Sequence, residues 1–102
     1  DPLIQTSFLN SLSCNLVVSA YYYEALEVAS QEIELSTQYR LLFVTPHAKL
    51  NLASSLCGLR QFKRCISHLK QVSYLAENDG FLLMNVGAVL ARVYLALHRN
   101  VL

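Results

Sequence analysis

Apolar residues recur along the chain at spacings of three and four, which is the period of an amphipathic helix. The first apolar stripe consists of Phe8, Leu9, Leu12, Leu16 and Val17. A similar stripe continues over residues 25–33. No Asn-Gly or Asp-Gly turn separates two runs of alternating apolar and polar residues, which would be typical of a β-hairpin. The pattern therefore predicts an all-α chain.

A few breaks divide this helical pattern. Thr45-Pro46 predicts a helix start, because Thr can cap the free amides and Pro fits the first helical turn. Gly58 is expected to end or bend the helix that begins there. Asn78-Asp79-Gly80 predicts a turn between two helices, and His98-Arg99-Asn100 predicts another near the end of the sequence.

The break near residues 19–22 has the weakest local signal, because it contains neither Gly nor Pro. The alternative is one long helix from Thr6 to Tyr39. With the break included, the sequence predicts five helices, at about 6–19, 23–40, 46–58, 61–77 and 80–97.

The helices show a weak internal repeat. Three dipeptides align in one column: Leu12-Ser13, Leu52-Ala53 and Leu90-Ala91. The offsets between them are 40 and then 38 residues, and Tyr22 and Phe62 follow the first two Leu residues by ten. We expect Ala53 and Ala91 to be buried where two helices approach closely, and the aromatic residue to fill the gap beyond the turn.

Residues 43–97 carry the clearest version of this pattern, in five short segments. The segments are 43–48 (FVTPHA), 50–53 (LNLA), 58–62 (GLRQF), 76–80 (AENDG) and 91–97 (ARVYLAL). They resemble tetratricopeptide-type repeats, although the period exceeds the usual 34 residues. They look more like the repeat region of the large bacterial MalT-like, LuxR-type transcriptional regulators.

This resemblance implies antiparallel helix pairs stacked as a short right-handed tetratricopeptide-like (TPR-like) solenoid. It predicts a single helical-repeat fragment over residues 1–102, with approximate units 6–40, 46–78 and a truncated 80–102. In that family the repeats lie between an ATP-binding module and a C-terminal helix-turn-helix, and this sequence has no Gly-rich phosphate-binding loop. The resemblance therefore implies a sensing or protein-contact region, and nothing about ATP or DNA binding.

Composition narrows the function classes. Of 102 residues, 54% are hydrophobic and 15% are charged, against a usual share of about 45–50% and about 25%. This excludes intrinsic disorder, and a net charge of +1 disfavours a nucleic-acid binder. Because a small domain buries only part of its surface, we expect association with a parent protein or another copy.

Asn85 and Arg92 interrupt the most apolar stretch, which is shorter than the ~20 residues a bilayer needs, so we expect no membrane segment.

The spacing of the cysteines and histidines gives little support for a disulfide, catalytic or metal site. Cys14, Cys57 and Cys65 are odd in number and contain no closely spaced pair, which argues against a disulfide framework and favours the cytoplasm. Cys65 and His68 are three residues apart and could share a helix face as a nucleophile and base. A small core residue is the commoner role of such a Cys. No His has metal-ligand spacing, so we expect neither metal nor cofactor.

The charged and aromatic clusters are predicted to be surface features. Glu24, Glu27, Glu32 and Glu34 have the pattern of a solvated helix face. Arg60, Lys63 and Arg64 share another face, which is either solvated or docks on a phosphate or an acidic neighbour. In the run Tyr21-Tyr22-Tyr23, we expect Tyr22 to pack at the turn and at least one other Tyr to be exposed.

The first helix of each pair is expected to line a concave surface. The candidate groove residues are Ser7, Asn10, His47, Leu50, Ser54, Asn85 and Arg92. The sequence thus predicts a non-enzymatic protein-interaction or ligand-sensing module, part of a cytoplasmic transcriptional regulator. Its partner would be a protein or peptide segment or another copy of itself, with no direct nucleic-acid or membrane contact. The alternatives are a purely structural self-associating domain, or a small helical enzyme that uses Cys65 and His68.

Overall fold

The computed structural model describes residues 1–98, and these residues form five α-helices. The helices are α1 (Pro2–Val18), α2 (Tyr22–Gln38), α3 (Thr45–Gly58), α4 (Phe62–Leu75) and α5 (Gly80–His98). The predicted all-α class and the five helices are confirmed. The alternative of one helix from Thr6 to Tyr39 is wrong, because α1 ends at Val18. The turn predicted at residues 98–100 and the end of the unit 80–102 lie outside the described residues.

The first helix begins four residues earlier than predicted. The Asp1 side chain accepts a hydrogen bond from the backbone N–H of Leu3 at 2.8 Å, and Pro2 occupies the first helical turn. Asp followed by Pro is a recognised start signal, since the carboxylate caps free amides and Pro has the required φ.

The predicted capping role of Thr45 is wrong. Val44 is the N-cap of α3, and no side chain caps the helix by a hydrogen bond. The Thr45 hydroxyl instead lies 2.9 Å from the Ser36 hydroxyl near the end of α2. The Thr side chain therefore links two helices, while Pro46 still fits the first turn of α3.

Three turns share one backbone geometry at 20-residue spacing. Ala20, Arg40 and Arg60 have φ values of 65°, 55° and 62°. After each of them, the next amide donates to the carbonyl five residues earlier, at 2.8–2.9 Å. This is the Schellman ending of a helix, which usually places Gly in the left-handed position. Its presence without Gly explains why the break near residues 19–22 lacks a clear sequence signal.

The helices pack in chain order in an antiparallel-like arrangement, and they form two layers. One layer consists of α1, α3 and α5, in which α1 contacts α3 and α3 contacts α5. The other layer consists of α2, which packs on α1 and α3, and α4, which packs on α3 and α5. Within the described residues, α2 and α4 do not contact each other. The structure is elongated, 50 × 29 × 19 Å. The core centres on α3, where Leu52, Ala53 and Leu56 are buried against α4 and α5.

The 40-residue offset between the first two helix pairs is visible in the burial pattern. Every buried residue of α1 and α2 is followed 40 residues later by another buried residue. The pairs are Thr6/Pro46, Ser13/Ala53, Ala25/Cys65, Ala29/Leu69, Glu32/Val72 and Ser36/Ala76. The two helix pairs therefore present the same faces to their neighbours.

The expected burial of Ala91 is wrong, whereas Ala53 is fully buried. The buried stripe of α5 consists of Leu82, Val86, Val89 and Val93. Ala91 lies about 200° around the helix from Val89, at about 100° per residue. No further helix within residues 1–98 packs on that side of α5, so Ala91 is exposed.

The last helix is strongly apolar and poorly covered. Most of its large side chains outside the buried stripe are exposed, including Phe81, Met84, Tyr94 and Leu95. By length and composition alone, α5 would be long and apolar enough to cross a membrane. Only 22% of its most apolar stretch is buried, so α5 differs from a buried core helix, and Arg92 lies within the helix. The prediction that this segment does not enter a membrane stays a prediction.

Candidate functional site

A cavity of about 420 Å³ lies across α1, α3 and α5. We call it the groove cavity. Six of the seven candidate groove residues line it: Asn10 from α1, His47, Leu50 and Ser54 from α3, and Asn85 and Arg92 from α5. The remaining candidate, Ser7, lines a neighbouring cavity of about 310 Å³ that also includes Asn10 and His47. The structure thus brings the seven residues onto one continuous face.

The helical period explains this convergence. His47, Leu50 and Ser54 are spaced by three and four residues, so they share one face of α3. Asn85 and Arg92 are seven residues apart, which is close to two helical turns, so they share one face of α5. Direct contact of α3 with both α1 and α5 brings these faces together.

Arg92 supplies the positive charge of the groove cavity. Its side chain is exposed, and within residues 1–98 it forms no ion pair. Arg92 and His47 line the same cavity rather than opposite faces of the protein. A guanidinium group in this position can bind a carboxylate through two parallel hydrogen bonds.

Asn51 is a cavity residue that the sequence analysis did not identify. Its side-chain NH₂ donates to Asn10 Oδ1 at 3.0 Å and to Ser13 Oγ at 2.9 Å. Its side-chain oxygen Oδ1 accepts a hydrogen bond from Cys14 Sγ at 3.3 Å. The network joins α1 to α3 and fixes the orientation of Asn10 in the cavity wall. The available signal was an Asn between Leu50 and Leu52, in the middle of a core helix.

Glu32 corrects the prediction of a solvated acidic face on α2. Glu24, Glu27 and Glu34 are exposed as expected, but Glu32 is completely buried. Neither of its carboxylate oxygens has a hydrogen-bond partner. Burial raises the pKa of Glu32 from 4.5 to about 7, because a low-dielectric environment disfavours the charged form. Glu32 also lines the 310 Å³ cavity, which we call the Glu32 cavity.

The Cys65 and His68 pair lacks the properties of a nucleophile and its base. Cys65 is completely buried, and burial together with the nearby Cys57 raises its pKa to about 11. Burial, followed by the charges of Lys49 and Arg64, lowers the pKa of His68. The Nδ1 atom of His68 has no hydrogen-bond partner in residues 1–98. The Cys65 thiol therefore stays protonated near neutral pH, which weighs against nucleophilic catalysis.

The remaining clusters lie on the surface. Arg60, Lys63 and Arg64 are exposed, and Arg64 donates to Gln61 Oε1 at 2.6 Å. In the part of the chain that the structure describes, no group of three or more His, Cys, Asp or Glu side chains could hold a metal ion.

The aromatic run behaves as predicted. Tyr22 is half-buried, and its ring lies against Gly58 at the end of α3. Tyr21 and Tyr23 are exposed by 59% and 72%. Tyr22 therefore packs beyond the turn between α1 and α2, as expected from the repeat column.

Comparison with protein-family models, with curated proteins and with solved structures gives no significant match.

Proposed function

We propose that this chain is a non-enzymatic helical-repeat module that binds an extended protein or peptide segment in the groove cavity. In this proposal the helix pairs stack as a short right-handed solenoid. The supporting observation is that polar side chains from the first helix of each pair line one concavity of about 420 Å³. If the module senses a ligand instead, a regulatory small molecule with polar groups like those of a peptide would bind in the same cavity.

The two-layer packing supports a curved array. The first helices of successive pairs contact each other, whereas α2 and α4 do not meet within the described residues. Close spacing on one side and wide spacing on the other curves a stack of helix pairs. The first helices then line the concave side, which is where solenoid proteins bind extended partners.

The lining of the groove cavity suits a peptide. Asn10, Ser54 and Asn85 present hydrogen-bonding side chains, and the Asn85 NH₂ already donates to the Phe81 carbonyl at 2.8 Å. The Asn85 side-chain oxygen therefore remains available to accept from a backbone N–H. Leu50 provides an apolar wall beside these groups. Arg92 would bind a carboxylate of the ligand.

The parent protein is the second part of the proposal. The resemblance to MalT-like, LuxR-type regulators supports a cytoplasmic transcriptional regulator, in which this segment would sense a ligand or contact a protein without touching DNA or membrane itself. The sequence that flanks this segment in its gene tests this assignment. A helix-turn-helix downstream would support it, and an unrelated downstream domain would contradict it.

Peptide selection tests the binding proposal directly. Selected peptides from a random displayed library are titrated against the wild type and the Arg92→Gln variant by fluorescence polarisation. We expect Arg92→Gln to weaken binding at least fivefold. Arg64→Gln, an exposed Arg on the other layer, is the control and leaves binding unchanged. Failure to select any peptide, or an equal loss in both variants, would contradict the proposal.

One specific observation favours a second candidate function. The uncovered apolar surface of α5 is typical of an interface, so a purely structural, self-associating domain is the alternative. The small-enzyme alternative has the least support. It requires a reactive Cys65, whereas the raised pKa of this thiol predicts that iodoacetamide at neutral pH leaves it unlabelled in the folded protein.

A further inference from the structure

We propose that the Glu32 cavity is a binding subsite for a primary ammonium group, in which Glu32 provides the counter-charge. The ammonium would come from a Lys side chain or a chain N-terminus. This inference deepens the proposed function and rests on it, since one ligand would occupy both cavities.

The position of the cavity supports a continuous ligand path. The Glu32 cavity holds about 310 Å³ and is formed by α1, α2, α3 and the turn before α3. Asn10 and His47 line both this cavity and the groove cavity. A ligand seated along the first helices therefore passes from Arg92 at one end to Glu32 at the other. The two opposite charges would fix its direction.

The state of Glu32 itself points to a missing partner. The side chain is completely buried, and neither carboxylate oxygen forms a hydrogen bond. Buried polar groups in proteins are nearly always paired, and an exception calls for an explanation. At the matching position 40 residues later, the second helix pair has Val72, which is also buried. An apolar side chain therefore satisfies the packing at this position, and the carboxyl group of Glu32 is not needed for it.

Within the described residues, the chain places no Lys or Arg side chain at this site. From α1 the cavity is lined by Thr6, Ser7, Asn10 and Ser11 among its polar residues, and from α3 by His47. No Lys or Arg lines it, and His47 is the other titratable side chain that faces it. A permanent positive charge opposite Glu32 would therefore come from a ligand.

The donors and acceptors match an ammonium group. A primary ammonium has three N–H donors and no acceptor. The Glu32 carboxylate can accept from it, and so can the hydroxyl oxygens of Ser7 and Ser11, which line the cavity and are exposed. Because Glu32 is completely buried, this proposal requires a change of its side-chain rotamer that exposes the carboxylate to the cavity it lines.

Proton competition gives this subsite a distinctive pH dependence. The ammonium binds the charged carboxylate, whereas the pKa of the free side chain is about 7. Below that pH the ligand competes with a proton, so affinity falls by roughly tenfold per pH unit. Above pH 7 the affinity levels off. A bound ammonium also lowers the pKa of Glu32, because an opposite charge favours the carboxylate.

The test uses the full chain and n-butylammonium chloride as the probe, with 1-butanol and potassium chloride as controls. Backbone amide and Glu side-chain carboxyl resonances are followed by NMR at pH 8 and pH 5.5. We expect saturable shifts at the Glu32 cavity with butylammonium at pH 8, at least tenfold weaker binding at pH 5.5, and no matching shifts with either control. Equal shifts with butanol, or an unchanged Glu32 carboxyl signal, would overturn the proposal.

Matched variants separate the charge of Glu32 from its neighbours. Glu32→Gln should abolish butylammonium binding, while Glu24→Gln, an exposed Glu on the same helix, should retain it. His47→Gln should keep the pH midpoint near 7, which distinguishes Glu32 from the other titratable group in the cavity. Binding that survives in Glu32→Gln would overturn the proposal. Because Glu32→Gln removes a buried charge, a thermal melt at pH 8 confirms that the variant is folded.

Peptide ligands distinguish the two sources of the ammonium and the two proposals. Peptides selected for groove binding are compared with N-acetylated versions and with versions that carry norleucine in place of Lys. Loss on acetylation identifies a chain N-terminus, and loss with norleucine identifies a Lys side chain. Peptides that need Arg92 but ignore Glu32 would overturn this inference and leave the groove proposal standing. Butylammonium binding without any peptide binding would contradict the groove proposal and leave the ammonium subsite standing.

Discussion

At the scale of single residues, Glu32 places a carboxyl group where the second helix pair has Val72. An unpartnered buried polar group destabilises a folded protein by about 1–3 kcal/mol. We therefore predict that Glu32→Val raises the free energy of unfolding by about 1–3 kcal/mol at pH 8, measured by urea denaturation. The isolated carboxyl is also expected to make the wild type less stable as the pH rises.

The sign of that pH dependence follows from the direction of the pKa shift. The pKa of Glu32 is raised from 4.5 to about 7 on folding, so between these pH values the folded state binds more protons than the unfolded state. Stability is therefore lost as the pH rises from 4.5 to 7 and is level beyond. The Glu32→Val variant should lack this loss, whereas Glu24→Gln should keep it. An identical pH profile for the wild type and Glu32→Val would contradict the assignment.

Ala53 and Ala91 provide a matched pair for the repeat column. Ala53 is completely buried at the centre of the core, and Ala91 is exposed on α5. We predict that Ala53→Leu overpacks the core and destabilises the protein by about 1–3 kcal/mol. Ala91→Leu should change stability by less than about 0.5 kcal/mol. Thermal melts of both variants decide this, and a tolerated Ala53→Leu would show that the helix register is wrong.

The burial of Glu32 follows from its position in the helix, whereas its residue type predicts exposure. Ala29 follows Ala25 by four residues and Glu32 follows Ala29 by three, so Glu32 lies on the buried stripe of α2. The cluster with Glu24, Glu27 and Glu34 nevertheless predicts a solvated face, because charged residues are seldom buried. The role of Asn51 does not follow from local spacing, because its partners Asn10 and Ser13 lie about forty residues earlier and only tertiary packing brings them together.

At the scale of elements, the turn between α1 and α2 carries a strained residue. Ala20 has a φ of 65°, in the left-handed region that Gly adopts without steric cost. We predict that Ala20→Gly stabilises the protein by about 0.5–1 kcal/mol, because the relief of strain exceeds the added chain entropy. Ser19→Gly is the control, since Ser19 has a φ of −86°. That variant should be neutral or destabilising in the same chemical denaturation experiment.

The end of α3 depends on a close approach that only Gly permits. A Cβ atom on Gly58 would overlap the ring of Tyr22, whereas one on Gly87 in α5 would meet nothing within 4 Å. We predict that Gly58→Ala destabilises the protein by about 1–3 kcal/mol. Gly87→Ala should stabilise it by about 0.5–1 kcal/mol through helix propensity. Thermal melts that show both variants stabilised would contradict the proposed packing of Tyr22.

Helix positions were predicted better than helix ends. The spacing of apolar residues located all five helices, because each helix buries one face and therefore shows the period in its sequence. The ends depend on local chemistry that residue type indicates incompletely. Asp1 and Pro2 form a start signal that lies ahead of the first apolar stripe, and the Thr45 hydroxyl lies against that of Ser36 instead of capping its own helix.

At the scale of the whole molecule, the same periodicity explains how the groove residues could be selected. A helix face follows from spacing alone, so His47, Leu50 and Ser54 could be placed together from the sequence. The depth of the cavities could not, because it depends on how far neighbouring helices stand apart. Likewise, the Glu32 cavity forms only where three helices and a turn pack together, and no local sequence pattern predicts this arrangement.

The exposed apolar surface of α5 is the feature of the whole molecule that most affects its behaviour in solution. Leu95 is 62% exposed and lies among other large apolar side chains of that helix. Removing such a surface from water stabilises an assembly by about 25 cal/mol per Å². We therefore predict a dimer or larger species at micromolar concentration, measured by light scattering coupled to size exclusion.

Two variants locate that interface. Leu95→Glu should shift the protein to a monomer, because association would then bury an unpaired charge. Leu42→Glu is the control, since Leu42 is 79% exposed but lies in the turn before α3. Its assembly should equal that of the wild type. A wild-type monomer without aggregation would contradict the prediction.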